Sequence, residues 1–343
     1  MFHLNNIPSK TRFSVVVPFR NESENLPSLL QSIQELNYSK HLYEVILIDD
    51  ASEDHSIETI KPFLENSNNS IQIIPNVRRT ESPKKDAITL AVARAKNEWI
   101  ITTDADCVLP EYWLDSFDEY IQQSNALCIA APVSYNSKNS FLNRFQILDI
   151  LSLQGATIGG FGINKPFMCN GANFAYQKTL FNELHGFHGN AKIASGDDIF
   201  LLEKIVKAYG KQVHYLKCSH AIVTTSSEPT WNTLISQRIR WASKTKAYNW
   251  FGKTVGSIVL FINLFLVLVL PFIYVINLKI FIYILILKFK IDFFLIYKSA
   301  IFFNKREALK TYPLAFLLYP FFTTYVALTS LFYGYTWKNR QFK

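Results

Sequence analysis

The stretch WIITTDADC, residues 99–107, decides the fold. Trp99, Ile100 and Ile101 form a bare apolar run, which is how a strand buried on both faces reads. The run passes through two threonines and ends, with no turn residue between, in Asp104 and Asp106. Two carboxylates repel by ~4 kcal/mol at 4 Å when the effective dielectric is near 20. Taken alone, the pair is either a solvated turn at the end of a strand or a place prepared for a cation.

Working outward, strands and helices alternate. FSVVV (13–17), EVILIDD (44–50), IQIIP (71–75), WIITTD (99–104) and ALCIAAPV (126–133) read as buried strands. LPSLLQSIQEL (26–36), Ile57–Leu64, KKDAITLAVARAK (84–96) and YWLDSFDEYIQQ (112–123) read as helices. That order predicts an α/β fold, a mostly parallel sheet with helices on both faces. Such sheets bind ligands at the carboxyl ends of their strands. Asp49, Asp50, Asp104 and Asp106 all fall there, so two acidic clusters share one rim.

From about residue 255 the chain changes character. Three apolar segments follow, 254–276, 278–298 and 312–335, against the ~20 residues that a membrane-crossing helix needs. The middle one carries Lys288, Lys290 and Asp292, and its topology stays open. The basic stretch KSAIFFNKREALK (298–310) is expected to face the cytosol. If all three segments cross, the tail WKNRQFK ends outside, against that rule. The expected organisation is a cytosolic domain over 1–250, with an interfacial helix at about 229–250, and a membrane domain over 251–343.

Composition narrows the function classes. The chain has 343 residues, 49 % hydrophobic and only 18 % charged, with a net charge of +8. The sequence shows no basic recognition helix and no RNA-binding signature, so the surplus charge reads as a membrane-proximal feature and not as a nucleic-acid surface. The four cysteines form no C-x-x-C pair, and the polar start MFHLNNIPSK has no signal-peptide pattern. Both fit a reducing, cytosolic setting. Too few spans are visible for a small-molecule transporter. His185, His188, His214 and His220 have no metal-ligand spacing. The cluster GATIGGFG (155–162) lacks the strand–helix context of a dinucleotide fingerprint and is expected as a close-approach or membrane-edge loop.

Six motifs join WIITTDADC in order: VVVPFRNE (15–22), LIDDASEDHS (47–56), SPKKDAITLAVARAKNEW (82–99), CNGANFAYQK (169–178), SGDDIFLL (195–202) and QRIRW (237–241). The ordered set resembles inverting family 2 glycosyltransferases of the GT-A (Rossmann-like) fold over about residues 12–245. QRIRW is similar to the Q-x-x-R-W signature of the membrane branch with cellulose, chitin and hyaluronan synthases.

The resemblance implies roles. Pro18, Arg20, Asn21 and Glu22 open the nucleotide pocket. Asp50 accepts from base or ribose, with Asp49 supporting it. Lys84 matches the lysine of a K-x-x-A-L-N pattern near the base or phosphates, although Ile88 and Thr89 replace its Leu-Asn. Lys84 and Lys85 read equally as an ordinary charged helix start. Asp106 is the expected ligand of Mg²⁺ or Mn²⁺, with Asp104 toward the ribose or the metal.

Asp198 is the expected general base and Asp197 its neighbour on the acceptor side, although two acids also suit a helix amino terminus. Gly171 and Ala172 let backbone approach the acceptor. Arg240 pairs with the departing diphosphate, Trp241 stacks on a sugar ring, and Gln237 and Arg238 brace the loop. The implied partners are a nucleotide-sugar donor, a glycan or lipid-linked acceptor, membrane lipid, and a partner membrane protein or second copy. A nucleotide-binding scaffold without turnover is the competing class, and every acid such a scaffold could lose is present.

Overall fold

The computed structural model describes residues 1–65, 70–189, 196–272, 274–275, 277–332, 335–337 and 340–342. Ser195 of the SGDDIFLL motif, Ile273 and Ile276 of the first apolar segment, residues 333–334 of the third and part of the basic tail lie outside them.

In chain order the elements are β1 (Phe13–Phe19), α1 (Leu26–Gln34), β2 (Tyr43–Asp49), α2 (Ser56–Glu65), β3 (Ser70–Pro75), α3 (Pro83–Arg94), β4 (Trp99–Thr102), β5 (Cys107–Val108), α4 (Trp113–Gln123), β6 (Cys128–Ala130) and β7 (Val133–Tyr135). They continue as α5 (Phe141–Gly162), β8 (Phe174–Gln177), α6 (Lys178–Glu183), α7 (Asp197–Tyr209), β9 (Val213–Tyr215), β10 (Val223–Thr225), α8 (Trp231–Ala242), α9 (Trp250–Val269), α10 (Leu278–Phe302), α11 (Tyr312–Phe332), β11 (Tyr335–Trp337) and β12 (Arg340–Phe342).

Two compact units divide the chain. The first comprises Met1–Val133 and Gly160–Ser226, the second Ser134–Gly159 and Ser227–Lys343. The sequence boundary near 250 therefore falls inside the second unit.

The first unit is built on a sheet of order β3-β2-β1-β4-β8-β6-β9 among the described residues. β3, β2, β1 and β4 run parallel, β8 runs antiparallel to β4 and β6, and β6 and β9 are parallel. This is the α/β GT-A architecture expected. Its parallel strands read as bare apolar runs because both faces are covered. Val15, Val17, Leu47 and Ile101 pack under α1 and α4, while Val16, Ile46 and Ile100 pack under α3 and α7. The parallel register sets the ends of β1 and β2 level, with Phe19 opposite Asp49, while β4 ends earlier, with Thr102 opposite Val16.

Among the described residues of the second unit, two helical stretches are long and apolar enough to cross a membrane, Trp250–Phe272 and Arg306–Phe332. α10 is not one of them; Lys288 pairs with Asp292 one turn on, and its ammonium lies 4.8 Å from the Phe316 ring centroid. Residues 155–162, expected as a loop, instead lie within α5, which corrects that reading. Close approach is the reason for a glycine at 155: a Cβ there would stand 2.5 Å from Ser299 Oγ. Tertiary packing overrides the poor helix propensity of glycine.

Candidate active site

The acids sit where the sheet delivers them. Asp49 ends β2 and Asp50 follows it, and Asp104 and Asp106 follow β4. Because β8 is antiparallel to β4, its start lies at the same rim, with Thr102 opposite Phe174. The turn before β8 is pinned there: Thr102 Oγ1 donates to the Gly171 carbonyl at 2.7 Å.

At the β1 and β2 ends, Arg20 ties two loops together. Its Nη1 donates to the Asp50 and Ala51 carbonyls, and its Nη2 reaches Glu53 Oε1 at 2.8 Å. Asn21 at φ 52° and Ala51 at φ 56° in these loops are both left-handed. Pro18 lies within β1 opposite Ile48. Glu22 Oε2 accepts from Asn25 Nδ2 at 2.7 Å. Asp50 is buried, and its Oδ1 accepts from Asn76 Nδ2 at 2.8 Å and Arg78 Nε at 2.7 Å. Asp49 Oδ1 accepts from the Ser52 amide at 3.0 Å, an Asx turn that shapes the loop.

Lys84 links the D-x-D pair to the acids that open α7. It stands in the first turn of α3, and its Nζ lies 2.7 Å from Asp104 Oδ1 and 3.4 Å from Asp197 Oδ2. Burial alone would pull the ammonium pKa down, but Asp104 and then Asp197 outweigh it and push it above the ordinary lysine range. Lys84 is thus a held cation and not a solvated helix start. Lys85 is buried too, 4.4 Å from the Phe200 ring centroid.

Asp197 and Asp198 open α7 behind Gly196, whose φ of 82° favours glycine. Asp198 Oδ2 accepts from the Gly171 amide at 3.1 Å and its Oδ1 from the Ile199 amide at 2.8 Å. A Cβ at Gly171 would stand 3.1 Å from Asp197 Oδ2, so a side chain there would crowd the pair. Ala172 is buried, its amide bonded to Asn170 Oδ1. Asp104, Asp197, Asp198, Lys84 and Gly171 therefore form one cluster.

Asp106 differs from Asp104. Burial raises its carboxyl, Asp104 and Glu22 raise it further, and the result is about 6. Its Oδ2 accepts from Thr225 Oγ1 at 3.0 Å, because β10 pairs with β5 and sets Thr225 opposite Cys107. Nothing in the sequence pattern singled out Thr225, which sits 119 positions away in a short strand.

This donor set suits a hard divalent cation. Asp106 is a carboxylate whose charge is opposed by its surroundings, and a cation would relieve it. Among the described residues, no three His, Cys, Asp or Glu side chains gather into a ready-made metal cage. Mg²⁺ is characteristically held by one or two carboxylates together with substrate phosphates.

Gln237, Arg238, Arg240 and Trp241 belong to α8 in the second unit. Gln237 Nε2 donates to Glu228 Oε1 at 2.7 Å. Arg238 is buried, and its guanidinium carbon lies 4.2 Å from the Trp241 ring centroid. Arg240 and Trp241 are partly buried.

Comparison with known proteins agrees with the fold. The chain is similar to a probable glycosyltransferase, YdaM, of Bacillus subtilis (strain 168), 25 % identical over 243 residues, 69 % of this chain and 56 % of that protein. A shorter stretch of 100 residues is 32 % identical to an undecaprenyl-phosphate 4-deoxy-4-formamido-L-arabinose transferase of Proteus mirabilis (strain HI4320), covering 29 % of this chain and 30 % of that one. The chain spans about half the length of the first of these. Among solved structures, a mannosyltransferase of Pyrobaculum calidifontis in complex with GDP-Man and Mn²⁺ shares the fold, with a TM-score of 0.52 and 19 % identity over 71 % of this chain and 65 % of that one. The family profile described as glycosyl transferase family 2 matches residues 14–193, and the protein belongs to that family.

Proposed function

We propose that the protein is an inverting, metal-dependent glycosyltransferase that moves a sugar from a nucleotide diphosphate donor to a hydroxyl acceptor at the cytosolic face of a membrane, in the synthesis of a surface polysaccharide or glycolipid. The cluster of Lys84, Asp104, Asp197 and Asp198 on one sheet rim carries this reading, since it joins a phosphate-side acid to a base-side acid through one ammonium.

Asp50 and the loop held by Arg20 face the nucleoside. Asp106, with Asp104 beside it, would hold Mg²⁺ or Mn²⁺. When bound, the cation neutralises the diphosphate charge as the sugar leaves. Lys84 adds a fixed positive charge. Asp198 takes the acceptor proton as the hydroxyl attacks the anomeric carbon. A single base with no carboxylate nucleophile gives inversion. The Q-x-x-R-W motif implies that Arg240 neutralises the departing diphosphate and Trp241 holds an acceptor ring.

Membrane attachment is supported by the apolar faces of the carboxy-terminal helices. Phe261 and Leu268 of α9 and Leu317 and Phe321 of α11 are exposed, which lipid tolerates and water does not. Lys305 Nζ donates to Ser137 Oγ at 2.9 Å, so the basic segment 298–310 and the loop before α5 share one side of the second unit, the side assigned to the cytosol.

Two products are compatible with this chemistry. Q-x-x-R-W favours a polymer. The stretch similar to the undecaprenyl-phosphate transferase favours a single transfer to a lipid-linked acceptor.

Native membranes carrying the protein should transfer label from one member of a radiolabelled panel of UDP- and GDP-sugars with Mg²⁺ or Mn²⁺, and product sizing separates polymer from single addition. Asp198→Asn and Asp106→Ala should each lose activity by about 100-fold or more. Full activity in both would sink the assignment.

A further inference from the structure

The second unit contains a buried ion pair whose presence stability does not explain. Asp149 on α5 and Arg238 on α8 meet at 2.6 Å, Oδ2 to Nε, and each is 5 % exposed. Taking two charges out of water costs several kcal/mol per ion, and apolar residues of similar volume often serve a core equally well. What the pair supplies is direction. Both carboxylate oxygens are committed, Oδ2 to Arg238 on α8 and Oδ1 to the Tyr319 hydroxyl on α11 at 3.1 Å. Three helices are therefore fixed by one side chain. Around it, Phe145 of α5 packs on Trp231 of α8 and Phe322 of α11, each at 5.2 Å between ring centroids.

The guanidinium then passes that fixity along α8. Its Nη1 donates to the Gln237 side-chain carbonyl. Its plane lies over the Trp241 ring, three residues on and so on the same helix face. A planar guanidinium has its donors in a rigid fork, so holding Nε at Asp149 orients the rest of the group. Two residues of the Q-x-x-R-W motif, Gln237 and Trp241, thus rest on Arg238, which occupies a variable position of that motif.

We propose that Asp149 and Arg238 are positioning residues for Gln237 and Trp241. Asp149, anchored to α11 through Tyr319, aims the Arg238 guanidinium. That group covers one face of the Trp241 indole and leaves the opposite face to receive an acceptor sugar ring. This rests on the reading of Trp241 as an acceptor platform.

The test uses the full chain in detergent with the double variant Asp149→Leu/Arg238→Met, which replaces the pair by apolar groups. Acrylamide quenching of Trp241, isolated by subtracting the matching Trp241→Phe proteins, should rise about two-fold. In transfer assays titrated with a native membrane lipid-and-glycan extract, the half-saturating extract concentration should rise about five-fold or more, with a smaller change in kcat. A double variant with wild-type melting, quenching and half-saturation would overturn the proposal. Loss of kcat alone, with quenching unchanged, would overturn it too. Should the double variant not fold, Asp149→Asn keeps the shape and removes the charge, and the same two readings decide. If the wild-type protein transfers no sugar at all, the enzymatic reading fails, while the quenching comparison still tests the positioning.

Discussion

The Lys84 ammonium lies 2.7 Å from Asp104 Oδ1, so the first acid of the D-x-D pair is already neutralised by the protein. The same ammonium is 3.4 Å from Asp197. Asp106 is left as the uncompensated carboxylate, which is why it is the better candidate for a cation. Replacing Lys84 by Met should leave Asp104 and Asp197 facing each other without a counter-charge. Donor-nucleotide affinity, measured by calorimetry with UDP or GDP and Mn²⁺, should fall about ten-fold or more. The melting temperature should fall as well, because removing one partner of a partly buried pair strands the other. Unchanged nucleotide affinity would show that Lys84 has only a structural part.

Much of this was legible in the chain, for a definite reason. β1, β2 and β4 announce themselves because parallel strands covered on both faces need no polar alternation, and the acids that follow them need no tertiary information to be placed at a strand end. What the sequence hid depends on contacts between distant positions. Thr225 meets Asp106 only because β10 pairs with β5, and Asp149 meets Arg238 across 89 positions. The glycines of 155–162 misled for a different reason. Their composition argues for a loop, while the close packing of Gly155 on Ser299 rewards a missing side chain inside a helix. Lys84 was visible as a motif residue, but its hold on both Asp104 and Asp197 was not.

Asp54 should make the loop after β2 sensitive to acid. Its Oδ1 accepts from the Ser56 amide at 3.0 Å and its Oδ2 from the Ser23 amide at 3.0 Å. Burial alone would raise its carboxyl, but the Ser56 hydroxyl and the Ser23 amide outweigh that and bring it from 3.8 to about 2. The folded value is the lower one. The stabilisation is therefore present above about pH 4 and lost as pH falls toward 2. In Asp54→Asn that stabilisation is absent at every pH. Thermal melts should show a gap between the two proteins at pH 6 that narrows below pH 4. A gap that stays constant would mean that the carboxylate is not what caps this loop.

Ala51 at φ 56° is a local cost, since a left-handed L-residue is disfavoured by about 1–2 kcal/mol. Ala51→Gly relieves it and gives back part of the gain through the more flexible unfolded chain. The net expectation is a stabilisation of roughly 0.5–1 kcal/mol, read as a small rise in melting temperature. The Arg20 bonds to the Asp50 and Ala51 carbonyls should survive, because they go to backbone. A lower melting temperature for the glycine variant would show that the loop relies on alanine.

Thr225 offers the most direct check on how Asp106 is aimed. Its hydroxyl donates to Asp106 Oδ2 at 3.0 Å, leaving Oδ1 as the oxygen beside the Cys107 thiol, a weak donor at 3.7 Å. A hydrogen bond to one oxygen of a carboxylate fixes the plane of the other, and residues that orient a metal-binding group characteristically change metal affinity by about 10–100-fold when removed. Thr225→Val keeps the β-branched shape that suits β10 and removes only the donor. The Mn²⁺ concentration that half-saturates binding in the presence of UDP or GDP should rise about ten-fold, with little change in melting temperature. Thr225→Ser should restore it. Mn²⁺ binding that is identical in the Val and Ser proteins would separate Thr225 from the metal and leave it as a strut between β5 and β10.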